Sequence, residues 1–261
     1  MEITGIIIAK NEAKYITKAI ESLLSVCERV IVVDSGSDDG THKLAEQAGA
    51  SVVFHEWEGF KGQRRFADTV VETDWVLVLD ADERLSAGLA SAILKLKEKP
   101  DTSEIHAYSL QRNLHFMGKC FRNNFLTSEW KTRLYNRKYC KWVGGSVHET
   151  VSVNGKTGKI PYSIDHYPFE NLKDAKEKLR LYGELKAQDK YKRGKRVGFF
   201  GILLHIIITF LKKYILQCYF LGGTPGLILS WLETDYTAIK YMKLYELNHS
   251  DKDKEKNNDA E

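Results

Sequence analysis

The sequence predicts an α/β fold whose central sheet is mostly parallel and has helices on both faces. Four short apolar runs typical of buried strands occur at residues 3–9, 30–33, 51–54 and 75–79. Segments with apolar residues at helical spacing separate these runs, and polar segments rich in Asp, Asn and Gly follow them. Since the carboxyl ends of parallel strands meet along one edge of a sheet, we expect a ligand crevice there.

The elements follow one another as repeated strand, loop and helix units. The first strand leads into Asn11, a predicted N-cap, and a helix marked by apolar residues from Ile16 to Leu24. The second strand leads into the segment 34–40 and a helix that Gly49 closes. The third precedes a loop with Lys61 and a helix carrying Arg64 and Arg65, and the fourth runs directly into Asp80.

The acidic cluster at residues 80–83 is the most informative feature of the chain. Asp80 and Asp82 lie two residues apart at a strand end, where they could share one hard divalent cation with a diphosphate. A solvated turn or a helix N-terminal cap is the alternative. Asp34 likewise fits both a ligand contact and a turn residue beside Gly36.

Composition and missing motifs exclude several function classes. Neither a G-x-x-x-x-G-K-[ST] loop nor the G-x-G-x-x-G spacing of a dinucleotide fingerprint occurs. The net charge of +4 is too mild to indicate nucleic-acid binding. The four cysteines have no C-x-x-C spacing, and the N-terminus lacks a signal-peptide pattern, so we expect a cytoplasmic protein or one on the cytoplasmic face of the membrane.

The motifs, in their order and spacing, resemble family 2 glycosyltransferases and, more narrowly, the bacterial lipopolysaccharide core β-1,4-glucosyltransferase branch. The resemblance rests on the segments 8–12, 32–39, 57–60, 74–83, 142–149 and 165–167. It implies a GT-A type, Rossmann-like fold, a nucleotide-sugar donor, a divalent Mg²⁺ or Mn²⁺ ion and inversion at the anomeric carbon. Arg65 departs from the pattern, since the family more often has Asn there.

The resemblance also implies a set of site residues. Asp34 would contact the nucleoside, and Asp80 and Asp82 match the DxD motif, with Asp82 the more direct metal ligand. His166 resembles the late histidine that completes the metal site, although a structural histidine is the alternative. The predicted nucleotide-sugar contacts are Ala9, Asn11, Glu12, Asp34, Gly36, Lys61, Arg64, Asp80 and Ala81.

An inverting transfer needs a base that accepts the proton of the acceptor hydroxyl. Glu149 follows the flexible pair 144–145 and is the predicted base, with His148 as the alternative base. Both could instead hydrogen-bond a loop. The aromatic and basic stretch 105–142 could line the acceptor site, because aromatic faces stack on sugars and cations bind phosphates. The predicted acceptor contacts are Arg112, Trp130, Trp142 and His148.

The last third of the chain differs from the rest in its distribution of charged and apolar residues. A charged helical region ending in the basic run 190–196 precedes the apolar run 197–211, which Lys212 and Lys213 close, and a second apolar stretch, 214–231. As a helix, the first run would span about 22 Å, short of a hydrocarbon core of about 30 Å. We therefore expect that it does not cross the membrane but lies in an anionic membrane surface as a helical hairpin. A helix pair packed on the catalytic domain or a homo-oligomer interface is the alternative.

The predicted organisation is a catalytic domain, a helical region and a disordered tail. The catalytic domain comprises residues 1–170, with a nucleotide-sugar half at 1–100 and an acceptor half at 101–170; the helical region is 171–248 and the tail 249–261. The predicted function is inverting sugar transfer from a nucleotide sugar, expected to be UDP-linked, to a glycolipid or oligosaccharide acceptor at the inner membrane. A catalytically silent nucleotide-sugar binding or membrane scaffold protein of the same fold is the alternative.

Overall fold

The computed structural model describes residues 1–98, 104–122, 130–144 and 149–258, with side chains described as far as residue 250. The chain divides into two compact units. The first comprises residues 1–114 and 128–167, and the second comprises residues 115–127 and 168–261.

The first unit is built on one large sheet. Its strands are β1 (Ile3–Ala9), β2 (Arg29–Asp34), β3 (Ser51–Phe54), β4 (Trp75–Asp80), β5 (Glu83–Leu85), β6 (Ile105–Phe116), β8 (Lys131–Asn136) and β11 (Lys156–His166). The last two residues of β6 and the strand β7 (Lys119–Phe121) belong to the second unit. A separate hairpin consists of β9 (Cys140–Gly144) and β10 (Glu149–Val153). The helices are α1 (Ile16–Leu24), α2 (Thr41–Gln47), α3 (Gly59–Val70) and α4 (Ala87–Lys97).

The sheet order places a topological switch point beside β1. The order is β3-β2-β1-β4-β8-β6-β11-β5, and β1 pairs in parallel with both β2 and β4. The chain therefore moves outward to β3 and then returns past β1 to form β4. A crevice opens at such a point, outside the carboxyl ends of the strands. β8 is antiparallel to β4 and β6 and so interrupts the parallel pattern, which resumes between β6 and β11.

Both faces of the sheet are covered, which explains why all seven residues of β1 are buried. Ile3 and Ile7 pack in a core with α1, α2 and α4. Ile6 and Ile8 point to the other face, where they join a core with α3 and the β9–β10 hairpin. Alternate side chains of a strand point to opposite faces, so both must be apolar. The predicted α/β fold class, with helices on both faces, is confirmed.

The predicted N-cap role of Asn11 is wrong. Helix α1 begins only at Ile16, and its N-cap residue is Tyr15. Asn11 instead adopts a left-handed conformation with φ of 58°, and its side-chain oxygen accepts a hydrogen bond from the Asp38 amide at 3.0 Å. Asn tolerates this conformation because its short side chain bonds locally, so the residue links two loops.

The second unit is helical. It contains α5 (Leu172–Lys192), α6 (Phe199–Leu211), a π-helical turn (Lys212–Leu216), a 3-10 turn (Tyr219–Gly222) and α7 (Thr224–Asn258). α5 and α6 both pack against α7. α7 extends to Asn258 and thus through most of the predicted disordered tail.

The apolar helix is longer than predicted. Lys212 and Lys213 do not end it, because the helical path continues through them to Leu216. The Lys213 ammonium lies 3.3 Å from a Glu233 carboxylate oxygen and over the Tyr219 ring, so its charge is compensated. Phe199–Leu216 is thus an 18-residue apolar helix, and by length and composition alone it could cross a membrane. None of its residues is buried, which makes it the candidate membrane-associating segment.

Candidate active site

Three strand ends meet at the switch point and carry polar groups there. β1 ends at Ala9, β2 at Asp34 and β4 at Asp80. The register pairs Ala9 with Asp34 and Ile8 with Asp80, so the ends are side by side. Ala9 and Ala81 are buried beside them and have no polar side chain, so only their backbone groups could serve a ligand.

Asp34 organises the turn that follows β2. Its Oδ2 accepts hydrogen bonds from the amides of Gly36 (3.0 Å) and Ser37 (2.9 Å), and its Oδ1 accepts from the Ser37 hydroxyl. Gly36 has φ of 84°, a conformation that favours glycine. The contacts of Asp34 are therefore those of a turn residue, and its contact with the nucleoside stays a prediction.

The loop after β1 is tied to the loop after β2. The Asn11 amide donates to the Ser37 hydroxyl at 2.9 Å, and the Glu12 amide donates to the Thr41 hydroxyl at 2.8 Å. Asn11 is exposed, and Glu12 is half-buried. These bonds give the edge above β1 and β2 a defined shape that could receive a nucleoside.

Arg64 brings together two predicted carboxylates that are distant in sequence. Its Nη2 donates to Asp80 Oδ1 at 2.7 Å, and its Nη1 lies 3.1 Å from Glu149 Oε1. The arginine comes from α3, the aspartate from the end of β4 and the glutamate from the start of β10. Because a guanidinium presents several donors in a fixed plane, one arginine can hold both carboxylates in a defined geometry.

Arg133 and Glu83 complete this site, and the sequence reasoning did not assign either of them a role. Arg133 Nη2 donates to Asp80 Oδ2 and to Glu83 Oε1, each at 2.9 Å. Glu83 is 0% exposed, and its Oε2 accepts the Asp80 amide at 3.0 Å. Arg112 approaches Glu83 at 3.3 Å. Two signals were present in the sequence: the charged Arg133 directly before Leu134 and Tyr135, and Glu83 as a third carboxylate in the acidic cluster 80–83.

The charges of this network shift the pKa of its members. Burial alone would raise the pKa of Asp80, but Arg133 and Arg64 outweigh that effect and hold it well below its usual range. Burial would lower the pKa of Arg133, whereas Asp80 and Glu83 raise it. Asp80 and Arg133 are therefore both charged throughout the physiological pH range.

A ring contact and two hydrogen bonds form a second network that supports Arg64. The Arg64 guanidinium lies 4.7 Å from the centre of the Trp142 ring, and the Trp142 indole donates to the Tyr135 hydroxyl at 2.8 Å. Tyr135 in turn donates to Asp68 Oδ1 at 2.6 Å. Burial raises the pKa of Asp68 to about 6, although the bond from Tyr135 opposes this shift. Trp142, only 3% exposed, thus supports Arg64, and its predicted acceptor contact stays a prediction.

The metal-site prediction fits Asp82 and His166. The Asp82 Oδ2 atom lies 3.2 Å from His166 Nε2, and the Tyr167 amide donates to the Asp82 carbonyl at 2.8 Å, which holds the end of β11 there. Two neighbouring ligands of an octahedral ion at about 2.1 Å would lie about 3 Å apart, so this pair could bind one divalent cation. Asp80 differs, because both its oxygens accept from arginines and a cation would compete with two guanidinium groups.

A cavity of about 370 Å³ adjoins the carboxylates and arginines. Its lining residues are Arg64, Asp80, Trp130, Lys131, Thr132, Arg133, Trp142, Glu149, Thr150 and Val151. Trp130, a predicted acceptor contact, lines it and lies under the Lys159 ammonium at 4.9 Å. Arg112 instead contacts Glu83 and is not among the lining residues. His148 lies outside the described residues.

Lys61, a predicted donor contact, and Arg65, the departure from the family pattern, both have backbone partners. Lys61 donates to the Gly144 carbonyl at 2.8 Å, and Arg65 donates to the Trp142 carbonyl at 3.0 Å. Both therefore attach α3 to β9, which positions the hairpin that carries Glu149. A phosphate contact by Lys61 would require this bond to break.

Comparison with known proteins identifies the family. Residues 4–141 match the model of "Glycosyl transferase family 2". An uncharacterized glycosyltransferase of Rickettsia felis is 31% identical over 95% of this chain and 90% of that protein. The lipopolysaccharide core biosynthesis glycosyltransferase LpsC of Rhizobium meliloti is 28% identical over 94% of this chain and 93% of that protein.

Among solved structures, mannosyl-3-phosphoglycerate synthase from Rubrobacter xylanophilus is similar with a TM-score of 0.45 at 15% identity, over 74% of this chain and 75% of that one. The family match covers more than half of the chain, and the Rickettsia relative matches along most of its own length. The chain therefore belongs to glycosyltransferase family 2.

Proposed function

We propose that this protein transfers a sugar, with inversion, from a UDP-linked donor to a lipid-bound glycan of the cell envelope such as lipopolysaccharide core. One observation carries the proposal: Arg64 holds Asp80 and Glu149, on different elements, at the wall of one cavity. Family membership supports the reaction class. The similarity to the Rhizobium meliloti core glycosyltransferase supports the acceptor class.

Glu149 is the proposed base. In an inverting transfer it would accept the proton of the acceptor hydroxyl as that oxygen attacks the anomeric carbon from the face opposite the departing diphosphate. Its carboxylate lines the cavity, and Arg64 fixes its orientation. Trp130 lines the same cavity and offers an aromatic face on which an acceptor sugar could stack.

Arg64 and Arg133 are the proposed diphosphate-binding cations. Both guanidinium groups line the cavity, and each already binds a carboxylate oxygen, whose charge and geometry resemble those of a phosphate oxygen. The turn held by Asp34 and the neighbouring Asn11 lie at the adjacent strand ends and are the proposed nucleoside site.

Asp82 and His166 are the proposed ligands of a divalent ion, Mg²⁺ or Mn²⁺. The separation of their ligand atoms suits neighbouring positions on one ion. Such an ion, when bound, stabilises negative charge on a departing diphosphate. The protein's own part is to hold these two ligands next to the β4 strand end, which the hydrogen bond from Tyr167 to the Asp82 backbone achieves.

A catalytically silent nucleotide-sugar binding protein is the second candidate. The pairing of Glu149 with Arg64 favours it, since the same ion pair could serve only to attach β10 to α3. Glu149→Gln separates the two candidates. The variant keeps the size of the side chain and its hydrogen bonding to Arg64 but cannot accept a proton.

The test combines UDP binding and product formation. We expect Glu149→Gln to retain UDP binding in titration calorimetry with Mn²⁺ and to lose transfer by about 10²- to 10⁴-fold. Glu104→Gln, which removes an exposed carboxylate paired with Lys156, is the matched control and should keep full activity. Absence of any product with a panel of nucleotide sugars, despite UDP binding by the wild type, would favour the silent protein.

A further inference from the structure

The three helices of the second unit converge on Tyr241. The His205 ring of α6 stacks on the Tyr241 ring at 3.9 Å between centroids, with 4° between the planes. The ammonium groups of Lys190 from α5 and Lys240 from α7 lie 5.2 and 5.0 Å from the centre of the same ring. Lys186, one helical turn before Lys190, contributes a further positive charge felt by Lys240. We call Lys186, Lys190 and Lys240 the lysine cluster.

The charge of the lysine cluster is compensated only in part, by the effect of Glu233 on Lys240. Among the residues with described side chains, none of its members forms an ion pair. Glu233, the acidic group that acts on Lys240, forms its own ion pair with Lys213. Burial, followed by the charges of Lys190 and Lys186, lowers the pKa of Lys240, with Glu233 opposing. Half-buried cations that form no ion pair repel each other, and a bound anion would relieve that repulsion.

The neighbouring helix α6 exposes its apolar side chains. Three polar residues at intervals of four contact α7: His205 contacts Tyr241, Thr209 contacts Thr237 and Lys213 contacts Glu233. Their partners on α7 are also four residues apart but occur in the opposite order along the chain. α6 therefore runs antiparallel to α7 and turns its polar stripe toward it. The residues on its other sides are large, apolar and exposed, with Phe200 at 81% and Leu204 at 57%.

On a water-soluble domain the apolar stripe of a helix packs inward, whereas α6 turns its polar stripe inward and exposes its apolar side chains. An exposed apolar surface of this kind suits the hydrocarbon of a membrane. The basic residues Lys192, Arg193, Lys195 and Arg196 follow the lysine cluster directly in the chain and are exposed. Positive charge beside an apolar surface is complementary to a membrane that carries anionic headgroups.

We propose that the lysine cluster is a binding site for the phosphate group of an anionic membrane lipid, taken up when α6 enters the lipid. Three ammonium groups supply the donors for phosphate oxygens. Tyr236 and Tyr241, over whose rings Lys240 lies, supply the amphipathic surface found where protein meets headgroups. This site rests on the membrane association expected for α6, and its residues belong to the second unit, whereas those of the proposed sugar-transfer site belong to the first.

The test compares two double variants on vesicles. Lys190→Gln/Lys240→Gln neutralises two members of the lysine cluster. Lys173→Gln/Lys243→Gln is the control, because it removes the same charge from the same two helices at lysines that pair with Glu177 and Glu246. Each full-length protein is floated with vesicles of phosphatidylcholine alone and of phosphatidylcholine with phosphatidylglycerol, and inorganic phosphate is titrated separately.

We expect the cluster variant to lose roughly tenfold or more in partitioning to the anionic vesicles, with a smaller loss in the control. Binding to phosphatidylcholine alone should be equal in all three proteins, because it depends on α6. Equal losses in both variants would overturn the site, as would no loss in either. Binding of inorganic phosphate by the cluster without any effect on vesicle partitioning would overturn its assignment to a lipid.

Failure of membrane association gives a different result. If the wild type bound neither kind of vesicle, the proposed membrane contact itself would be wrong. Circular dichroism of both variants distinguishes a local loss of charge from unfolding of the helical unit. Sugar transfer to a soluble acceptor reports on the active site independently.

Discussion

Replacing Arg133 by Met should destabilise the first unit strongly. Arg133 joins Asp80 to Glu83, and Glu83 is completely buried. Methionine fills most of the volume but supplies no charge. Glu83 would then keep only the Asp80 amide and the contact with Arg112 at 3.3 Å.

The magnitude follows from the burial of the pair. Removing one partner of a buried ion pair typically costs about 3–5 kcal/mol, since the other charge is left in a region of low dielectric constant. For a unit of this size the melting temperature should fall on the order of 10 °C. Lys138→Met, which breaks the exposed pair with Asp74, is the control and should cost less than about 1 kcal/mol.

The assay is denaturant unfolding in detergent, followed by the fluorescence of the buried Trp75 and Trp142. The double variant Glu83→Gln/Arg133→Met tests the cause. If the cost arises from the unpaired Glu83 carboxylate, removing that charge should restore about 1 kcal/mol or more. A loss in Arg133→Met no larger than in the control, or no recovery in the double variant, would refute the reasoning.

Three further results are expected. Asp68 has a folded pKa of about 6 against an ordinary value of 3.8, so the folded state binds this proton more tightly and the stability it contributes falls as pH rises from about 4 to 6. Asp68→Asn should abolish that decline in melting temperature, and an unchanged pH profile would contradict the assignment. Asp82→Asn should remove the Mn²⁺ dependence of UDP binding measured by calorimetry, and retained dependence would exclude Asp82 as a ligand. Gly226→Ala should disrupt the helical unit, because the new methyl would lie 1.7 Å from the Tyr219 carbonyl oxygen, whereas Gly198→Ala has open space and should melt normally in circular dichroism.

Local patterns predicted the four strands β1 to β4 well. The strand at Ile3–Ala9 matches its prediction, and the strand at Trp75–Asp80 exceeds its prediction by one residue. Both are continuous apolar runs because both faces of the sheet are covered, and that requirement acts on every residue of the strand. Gly49, with φ of 93°, ends α2 as expected, since only its own backbone conformation is involved.

Predictions that depended on distant partners were less complete. Arg133 was visible in the sequence as one cation among several, but its partners Asp80 and Glu83 lie about 50 residues away in the chain. The contact of Trp142 with Arg64, 78 residues away in the chain, was not predicted. The lysines at 212 and 213 were expected to end the apolar helix, yet Glu233 of α7 compensates Lys213 and the helix continues.

The sequence by itself determined the alternation of strands and helices, the carboxylates at the strand ends and the apolar character of α6, because each depends on residues that are neighbours in the chain. The tertiary structure alone decided that one arginine would hold Asp80 and Glu149 together, and that two lysines from different helices, Lys190 and Lys240, would lie over one tyrosine ring. Ion pairs and ring contacts act over a few ångströms in space. Their partners become known only when the packing of the elements is known.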